Sequence, residues 1–214
     1  MTTQQIVLAA RPVGTPTKDT FRFETTEVPA LQAGQVLLQG LYYSVDPYMR
    51  GRMSDARSKV LSSKSDLFKE GDVVLGMLSW AQQIVANEKE LRKVDTTIAP
   101  ASYYLGILGM PGLTAYFGLM HIGKPKAGET VVVSGAAGAV GVLVGQMAKI
   151  HGCRVVGIAG TDEKVALIKK EFAFDEAINY KTTPNMRLAI KEACPNGVDI
   201  YFDNVGGPIS DAVI

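Results

Sequence analysis

Apolar positions in the second half of the chain alternate between strand-like and helix-like patterns. In Gly112–Met120 they recur at i, i+3, i+4 and i+7, the period of an amphipathic helix. Beyond it, short β-branched runs alternate with helical segments, which predicts right-handed βαβ crossovers and a parallel sheet with helices on both faces. The predicted elements are strands Thr130–Ser134, Arg154–Ala159, Glu176–Asn179 and Val198–Asp203, helices Val140–His151, Asp162–Phe172 and Asn185–Ala193, and a helix starting at Pro208.

The first half has a different texture, with short β-like runs separated by prolines and glycines. These runs predict strands at Ile6–Ala10, Phe21–Val28, Gln35–Ser44 and Asp72–Leu78. Together they favour a small, partly open barrel. The boundary between the two textures is predicted near Leu108, which gives domains 1–108 and 109–214.

A glycine turn joins the first parallel strand to the helix that follows it. Gly135, Gly138 and Gly141 come directly after a β-branched run, and an apolar helical pattern follows. Such a turn lets backbone N–H groups approach a pyrophosphate at the positive end of the helix dipole. Glycines at this spacing also occur where a helix packs closely on a strand. The strand before and the helix after favour dinucleotide binding.

The end of the second parallel strand indicates which dinucleotide is bound. An NAD site places a carboxylate there for the ribose 2′-OH, but Val156–Thr161 has none. Asp162, just beyond, suits a helix N-terminus as a partner of the dipole. Lys164 lies in the first turn, where a cation opposes the dipole, and this favours a phosphate partner and NADP. The alternative is a solvated surface lysine.

Composition and charge argue against several other classes of function. The net charge is +1 and the basic residues are scattered, so nucleic acid is not an expected partner. Cys153, Cys194, His121 and His151 do not suffice for a Cys/His zinc cluster within this chain. The N-terminus lacks the pattern of a signal peptide, and no stretch approaches the ~20 apolar residues of a membrane span. A cytoplasmic protein without a membrane partner is therefore expected.

Several short segments occur in a specific order along the chain. They are Ser44–Met53, Gly109–Gly118, Val133–Gly141, Gly152–Thr161 with Lys164, Asn179–Lys181 and Phe202–Gly207. This set resembles the zinc-free medium-chain reductases of the prostaglandin reductase, curcumin reductase and plant alkenal double-bond reductase group. The resemblance implies an α/β fold: a Rossmann-type doubly wound parallel sheet, of which about four strands are present, and an N-terminal GroES-like, partly open β-barrel domain.

The resemblance also assigns candidate site residues. It implies that Lys164 and Tyr180 contact the 2′-phosphate of NADP and that Asn204 touches its nicotinamide–ribose end. Tyr48 is the candidate catalytic residue and lines the substrate pocket. The other implied cofactor-binding residues are Met110, Thr114, Ala137, Gly138, Ala139, Val140 and Gly160.

Some of these residues have a purely structural alternative. Tyr180 can cap a strand edge, Asn204 can form a turn, and Pro47 with Tyr48 can pack inside a barrel loop. Asp46 stands where the zinc-dependent relatives carry a cysteine ligand, so no metal is expected.

The activity implied by the resemblance is NADPH-dependent reduction of the C=C bond of α,β-unsaturated ketones and aldehydes. Hydride goes to the β-carbon, and the charge that develops on the carbonyl oxygen needs a hydrogen-bond donor, either the Tyr48 hydroxyl or the cofactor ribose. The alternatives are a zinc-free NADPH quinone reductase and a nucleotide-binding protein without catalysis. The expected partners are an enone or enal, NADP(H) and, in the full-length form, a second copy in a homodimer.

The sequence departs from the group in three places. The last two strands of a six-stranded doubly wound sheet are not encoded. Ser54–Lys64 bridges strands that a longer segment separates in the relatives. Ala173 stands where they have a glycine that ends a helix, so a glycine cap is lost. We therefore expect part of a longer protein, or a truncated product.

Overall fold

Two compact units, Met1–Leu105 and Gly106–Ile214, make up the chain. The computed structural model describes residues 1–10, 12, 15–45 and 55–214, with the side chains of residues 55–58 excepted. Each unit has its own hydrophobic core.

The first unit is built from antiparallel strands. β1 pairs with β2, and a separate sheet has the order β6-β3-β4-β5-β7. Alternate residues of β3, Val36 and Leu38, are buried against Val60 and Val74 from β4 and β5, which is the two-residue period of a strand with one face in a core. The strands are β1 (Thr2–Leu8), β2 (Phe21–Glu27), β3 (Gln35–Ser44), β4 (Asp55–Ser63), β5 (Val73–Gly76), β6 (Gln83–Asn87) and β7 (Leu91–Lys93).

The second unit is a parallel sheet with the strand order β10-β9-β8-β11. This order agrees with the predicted Rossmann-type α/β fold, since it is the 3-2-1-4 part of a doubly wound sheet. The strands are β8 (Thr130–Ser134), β9 (Arg154–Ala159), β10 (Glu176–Asn179) and β11 (Ile200–Phe202). The helices are α1 (Met110–Tyr116), α2 (Gly141–Ile150), α3 (Asp162–Phe172), α4 (Met186–Ala193) and α5 (Pro208–Val213).

Helices cover both faces of this sheet. Val131 and Val133 of β8 pack with Val144 of α2 on one face, whereas Val132 packs with Ile190 of α4 on the other. All three valines are fully buried, and burying a side chain of this size contributes about 1.5–3 kcal/mol each. The β-branched run thus fixes the strand that carries the glycine turn.

The segment Gly112–Met120, predicted as one helix, is divided between two helix types. The α-helix ends at Tyr116, and a wider π-helical segment, Phe117–Gly123, follows it. Gly118 leaves room for a ring of β11, because a Cβ at this position would lie 2.6 Å from Cε2 of Phe202. The i, i+3, i+4, i+7 spacing fits the α-helical period and carries no sign of the change to the wider π-helical turn after Tyr116.

Helix α3 ends on an alanine in a left-handed conformation. Ala173 has φ +56°, which costs an L-residue about 1–2 kcal/mol, whereas glycine recovers this at an entropic cost of about 0.5–1 kcal/mol. Ala173→Gly is therefore expected to raise the free energy of unfolding by about 0.5–1 kcal/mol, measured by urea titration. The matched control is Ala166→Gly inside the same helix, which we expect to lower it by a similar amount. Destabilisation by both changes would contradict the strain at Ala173.

Asp175 joins α2 to the amino edge of the sheet. Its carboxylate accepts hydrogen bonds from Lys149 Nζ at 2.8 and 2.9 Å and from the Val155 N–H at 2.6 Å. Desolvation raises the pKa of Asp175, but these bonds outweigh it and hold the pKa below its usual value. Asp175 is therefore an ionised anchor at the end of the sheet opposite the glycine turn.

The two cysteines are unpaired and lie inside the second unit. Cys153 is 2% exposed and Cys194 is 4% exposed. Burial raises the pKa of both thiols, so both are protonated at neutral pH.

Candidate functional site

A cleft of about 280 Å³ lies at the carboxyl edge of the parallel sheet. In open α/β sheets, ligands bind at this edge, near the point where the strand order reverses. Here the order reverses between β8 and β11. The cleft is lined by Gly135, Ala137, Gly138, Ala159, Gly160, Thr161, Lys164, Tyr180, Lys181 and Val205.

The glycine turn leaves backbone donors free at the start of α2. Gly135 has φ +58°, which suits glycine, and its carbonyl accepts from the Gly138 N–H at 2.9 Å. The N–H groups of Ala137, Ala139 and Val140 donate no hydrogen bond to any residue that the structure describes. Free N–H groups at the start of a helix bind anions, since the dipole is positive there.

Two cations lie at the other side of this cleft. Lys164 is in the first turn of α3, and Lys181 follows β10. Within the described part of the chain, neither ammonium group forms an ion pair. Two unpaired cations in one cleft make a site for a phosphate group.

Tyr180 lines the same cleft directly after β10. Its N–H continues the ladder by donating to the Ala159 carbonyl at 3.1 Å. A Cβ on Gly160 would lie 3.0 Å from Oη of Tyr180, so the glycine makes room for the ring. The hydroxyl thus adds a neutral hydrogen-bond donor to the cleft.

The Asp162 carboxylate does not line the cleft. Oδ1 of Asp162 accepts a hydrogen bond from Nδ2 of Asn179 at 2.6 Å. Thr161 caps α3, since its Oγ1 accepts from the Lys164 N–H at 3.3 Å. The first turn of α3 therefore presents a lysine, not an acid, to the cleft.

The structure brings together some of the predicted cofactor residues. Those that line the cleft are Ala137, Gly138, Gly160, Lys164 and Tyr180. Ala139 and Val140 belong to the same turn but do not line the cleft.

Other predicted residues lie elsewhere. Asn204 is exposed, and its N–H and Nδ2 donate to Oγ and O of Ser134 at 2.8 and 2.9 Å. Met110 and Thr114 are exposed on α1 and do not line this cleft. The predicted catalytic Tyr48, with Asp46 and Pro47, lies outside the described residues. The roles assigned to these residues remain predictions.

Four side chains that line the cleft were not among the predicted site residues. They are Ala159, Thr161, Lys181 and Val205. Lys181 had a signal, because it directly follows Tyr180 and its charge suits the same phosphate. Val205 had none, since its place depends on how the loop after β11 folds back.

Among the described residues, no group of three His, Cys, Asp or Glu side chains is placed to hold a metal ion. The helices in the described ranges are too short or too polar to cross a membrane.

Comparisons with known proteins identify the family. Residues 4–94 match the family model of the N-terminal domain of oxidoreductase, and residues 139–214 match that of zinc-binding dehydrogenase. A putative NADP-dependent oxidoreductase, YfmJ of Bacillus subtilis (strain 168), is 60% identical over 227 residues, covering 99% of this chain and 67% of the relative. The chain belongs to the zinc-free reductase group of the medium-chain dehydrogenase/reductase family. Members of this family from plants and bacteria extend the comparison.

A 2-alkenal reductase (NADP(+)-dependent) of Nicotiana tabacum is 47% identical over 201 residues, covering 85% of this chain and 59% of the relative. The crystal structure of CurA in complex with NADPH from Vibrio vulnificus superimposes with a TM-score of 0.89 at 40% identity, covering 98% of this chain and 67% of that one. The α/β fold predicted for the family is thereby confirmed. The chain spans about two thirds of the length of the relatives that it matches.

Proposed function

We propose that this chain binds NADPH in the cleft and that the protein uses it to reduce the C=C bond of α,β-unsaturated aldehydes or ketones. The observation that carries the proposal is the pair of unpaired lysines, Lys164 and Lys181, in one cleft with the glycine turn. The 2-alkenal reductase activity of the tobacco relative supports the substrate class.

The residues fit the pyrophosphate and the 2′-phosphate of the cofactor. The free N–H groups of Ala137, Ala139 and Val140 would hold the pyrophosphate. Lys164 and Lys181, with the Tyr180 hydroxyl, would hold the 2′-phosphate. NADH lacks that phosphate, so the same cleft discriminates between the two cofactors.

The chemistry divides between cofactor and protein. NADPH, when bound, supplies the hydride that the β-carbon receives. Negative charge then develops on the carbonyl oxygen, and a fixed hydrogen-bond donor must stabilise it. We assign this role to Tyr48. The α-carbon takes its proton from water or a nearby hydroxyl.

The test is an NADPH oxidation screen with a 2-alkenal, an enone and a quinone, followed at the nicotinamide absorbance band. We expect turnover of the alkenal and the enone. Turnover of the quinone alone would replace the proposal by a quinone reductase. Tight NADPH binding, measured by fluorescence, without turnover of any substrate would indicate a nucleotide-binding protein without catalysis.

The family resemblance also supports a homodimer and a cytoplasmic location. Sedimentation of the full-length protein tests the first, and a monomer at micromolar concentration would contradict it. Cell fractionation tests the second.

A further inference from the structure

Asp203, directly after β11, accepts hydrogen bonds from the end of β8, from its own loop and from α5. Its Oδ1 accepts from Oγ of Ser134 at 3.0 Å and from the N–H groups of Val205 and Gly206 at 3.0 and 2.8 Å. Its Oδ2 accepts from Oγ of Ser210 at 2.6 Å. Desolvation raises the pKa of Asp203, but these bonds outweigh it and hold the pKa well below its usual range, so the acceptor stays ionised.

Ser134 connects this carboxylate to the glycine turn. It is fully buried and directly precedes Gly135. While its hydroxyl donates to Asp203, its Oγ and carbonyl oxygen both accept from Asn204. The end of β8 and the start of the loop after β11 are thus joined by three hydrogen bonds across 69 or 70 residues of sequence.

Side chains of the loop after β11 are sparsely packed, since Val205 is 58% exposed. Gly206 and Gly207 have φ of +75° and +64°, and a Cβ at either would meet nothing within 4 Å. The loop nevertheless contacts the turn, because a Cβ on Gly135 would lie 3.4 Å from Cβ of Asn204 and 3.5 Å from Cγ2 of Val205. Gly135 and Val205 both line the cleft, so the hydrogen bonds that join Ser134 to Asp203 and Asn204 bear on its width here.

We infer that Ser134 and Asp203 are positioning residues, which set the spacing between the glycine turn and the loop after β11 for the dinucleotide. The inference rests on the proposed function, because it concerns the same cleft. It assigns to the two residues no contact with the cofactor. Their effect is confined to the pyrophosphate side, since Lys164 and Tyr180 are held by α3 and β10.

Binding of two different ligands distinguishes a positioning role of these residues from a general effect on protein stability. NADPH spans the whole cleft, whereas adenosine 2′-phosphate needs only the side with the lysines. Ser134→Ala and Asp203→Asn are expected to raise the Kd for NADPH about 10-fold, the effect of a lost hydrogen bond to a charged group. The Kd for adenosine 2′-phosphate should change less than about twofold. Titration calorimetry with each ligand measures both.

The matched control is Asp175→Asn, the same change in another hydrogen-bonded carboxylate at the opposite edge of the sheet. It should lower the Tm but leave both Kd values unchanged. A wild-type protein that binds neither ligand would overturn the proposed function itself. If the wild type binds both ligands, two results would overturn the inference but not the proposed function. One is an unchanged Kd for NADPH in Ser134→Ala and Asp203→Asn, and the other is an equal rise in the Kd values for both ligands.

Discussion

Lys164→Ala is expected to raise the Kd for NADPH about 10-fold, and Lys164→Ala with Lys181→Ala about 100-fold. A charge-assisted hydrogen bond to a phosphate contributes about 1.5–3 kcal/mol, and each 1.4 kcal/mol is tenfold in affinity. We take the lower end because both side chains are exposed. The Kd for NADH should change less than about twofold, since it has no 2′-phosphate. Fluorescence titration with both cofactors gives the comparison.

The control for this prediction lies on the same helix. Lys170 is on α3, outside the lining of the cleft, where its Nζ lies 3.5 Å from Oε1 of Glu171. Lys170→Ala removes the same charge and should leave the Kd for NADPH unchanged. If Lys164→Ala raised the Kd for NADH as much as the Kd for NADPH, the lysine would not recognise the 2′-phosphate.

Gly141→Ala is expected both to destabilise the protein and to impair NADPH binding. A Cβ at Gly141 would collide with the carbonyl oxygen of Gly135 and lie 2.7 Å from Cα of Ala136. Both are backbone atoms, so the turn itself must shift. We expect a loss of about 1–3 kcal/mol in the free energy of unfolding, as for overpacked sites, and a Kd for NADPH raised more than about 10-fold. Urea titration and cofactor fluorescence measure the two effects.

Gly123→Ala is the matched control. A Cβ at Gly123 would have its nearest contact at 3.4 Å, with Cγ2 of Ile200, which is ordinary van der Waals distance. This change should alter the free energy of unfolding by no more than about 0.5 kcal/mol and leave the Kd for NADPH unchanged. Normal NADPH binding by Gly141→Ala would show that the turn tolerates a side chain there.

Three of the four parallel strands, β8, β9 and β10, and helix α3 have the ends expected from the sequence, whereas β11 (Ile200–Phe202) is shorter than the predicted Val198–Asp203. The ends of β8 and β9 follow from apolar runs that are buried on both faces, and Thr161 marks the start of α3. The first unit was harder. β1 begins at Thr2 rather than Ile6, since polar residues up to Gln5 still pair with β2.

The strands β4, β6 and β7 were not predicted. The segment taken as a bridge around Ser54–Lys64 contains β4, which pairs with both β3 and β5. Its serines and charged residues carry no apolar alternation, so only the neighbouring strands stabilise it as a strand. Pairing of this kind, between strands that are distant in sequence, cannot be predicted from the local sequence alone.

The candidate site was predictable where the local sequence alone carries a signal of the function. Lys164 opposes a helix dipole, and the glycine turn has a spacing of its own, so both stood out. Asp203 did not stand out, because its hydrogen bond with Ser134 joins residues 69 positions apart. Its role depends on β11 lying beside β8, a register that appears only in the folded sheet.

The burial of Cys153 and Cys194 matters for a protein with the proposed substrates. Enals and enones are electrophiles that alkylate thiols, and the reactive form of a cysteine is the thiolate. Both thiols are almost inaccessible, and burial raises their pKa, so little thiolate forms at neutral pH. With the proposed substrates, the two thiols of this chain would therefore be shielded from alkylation.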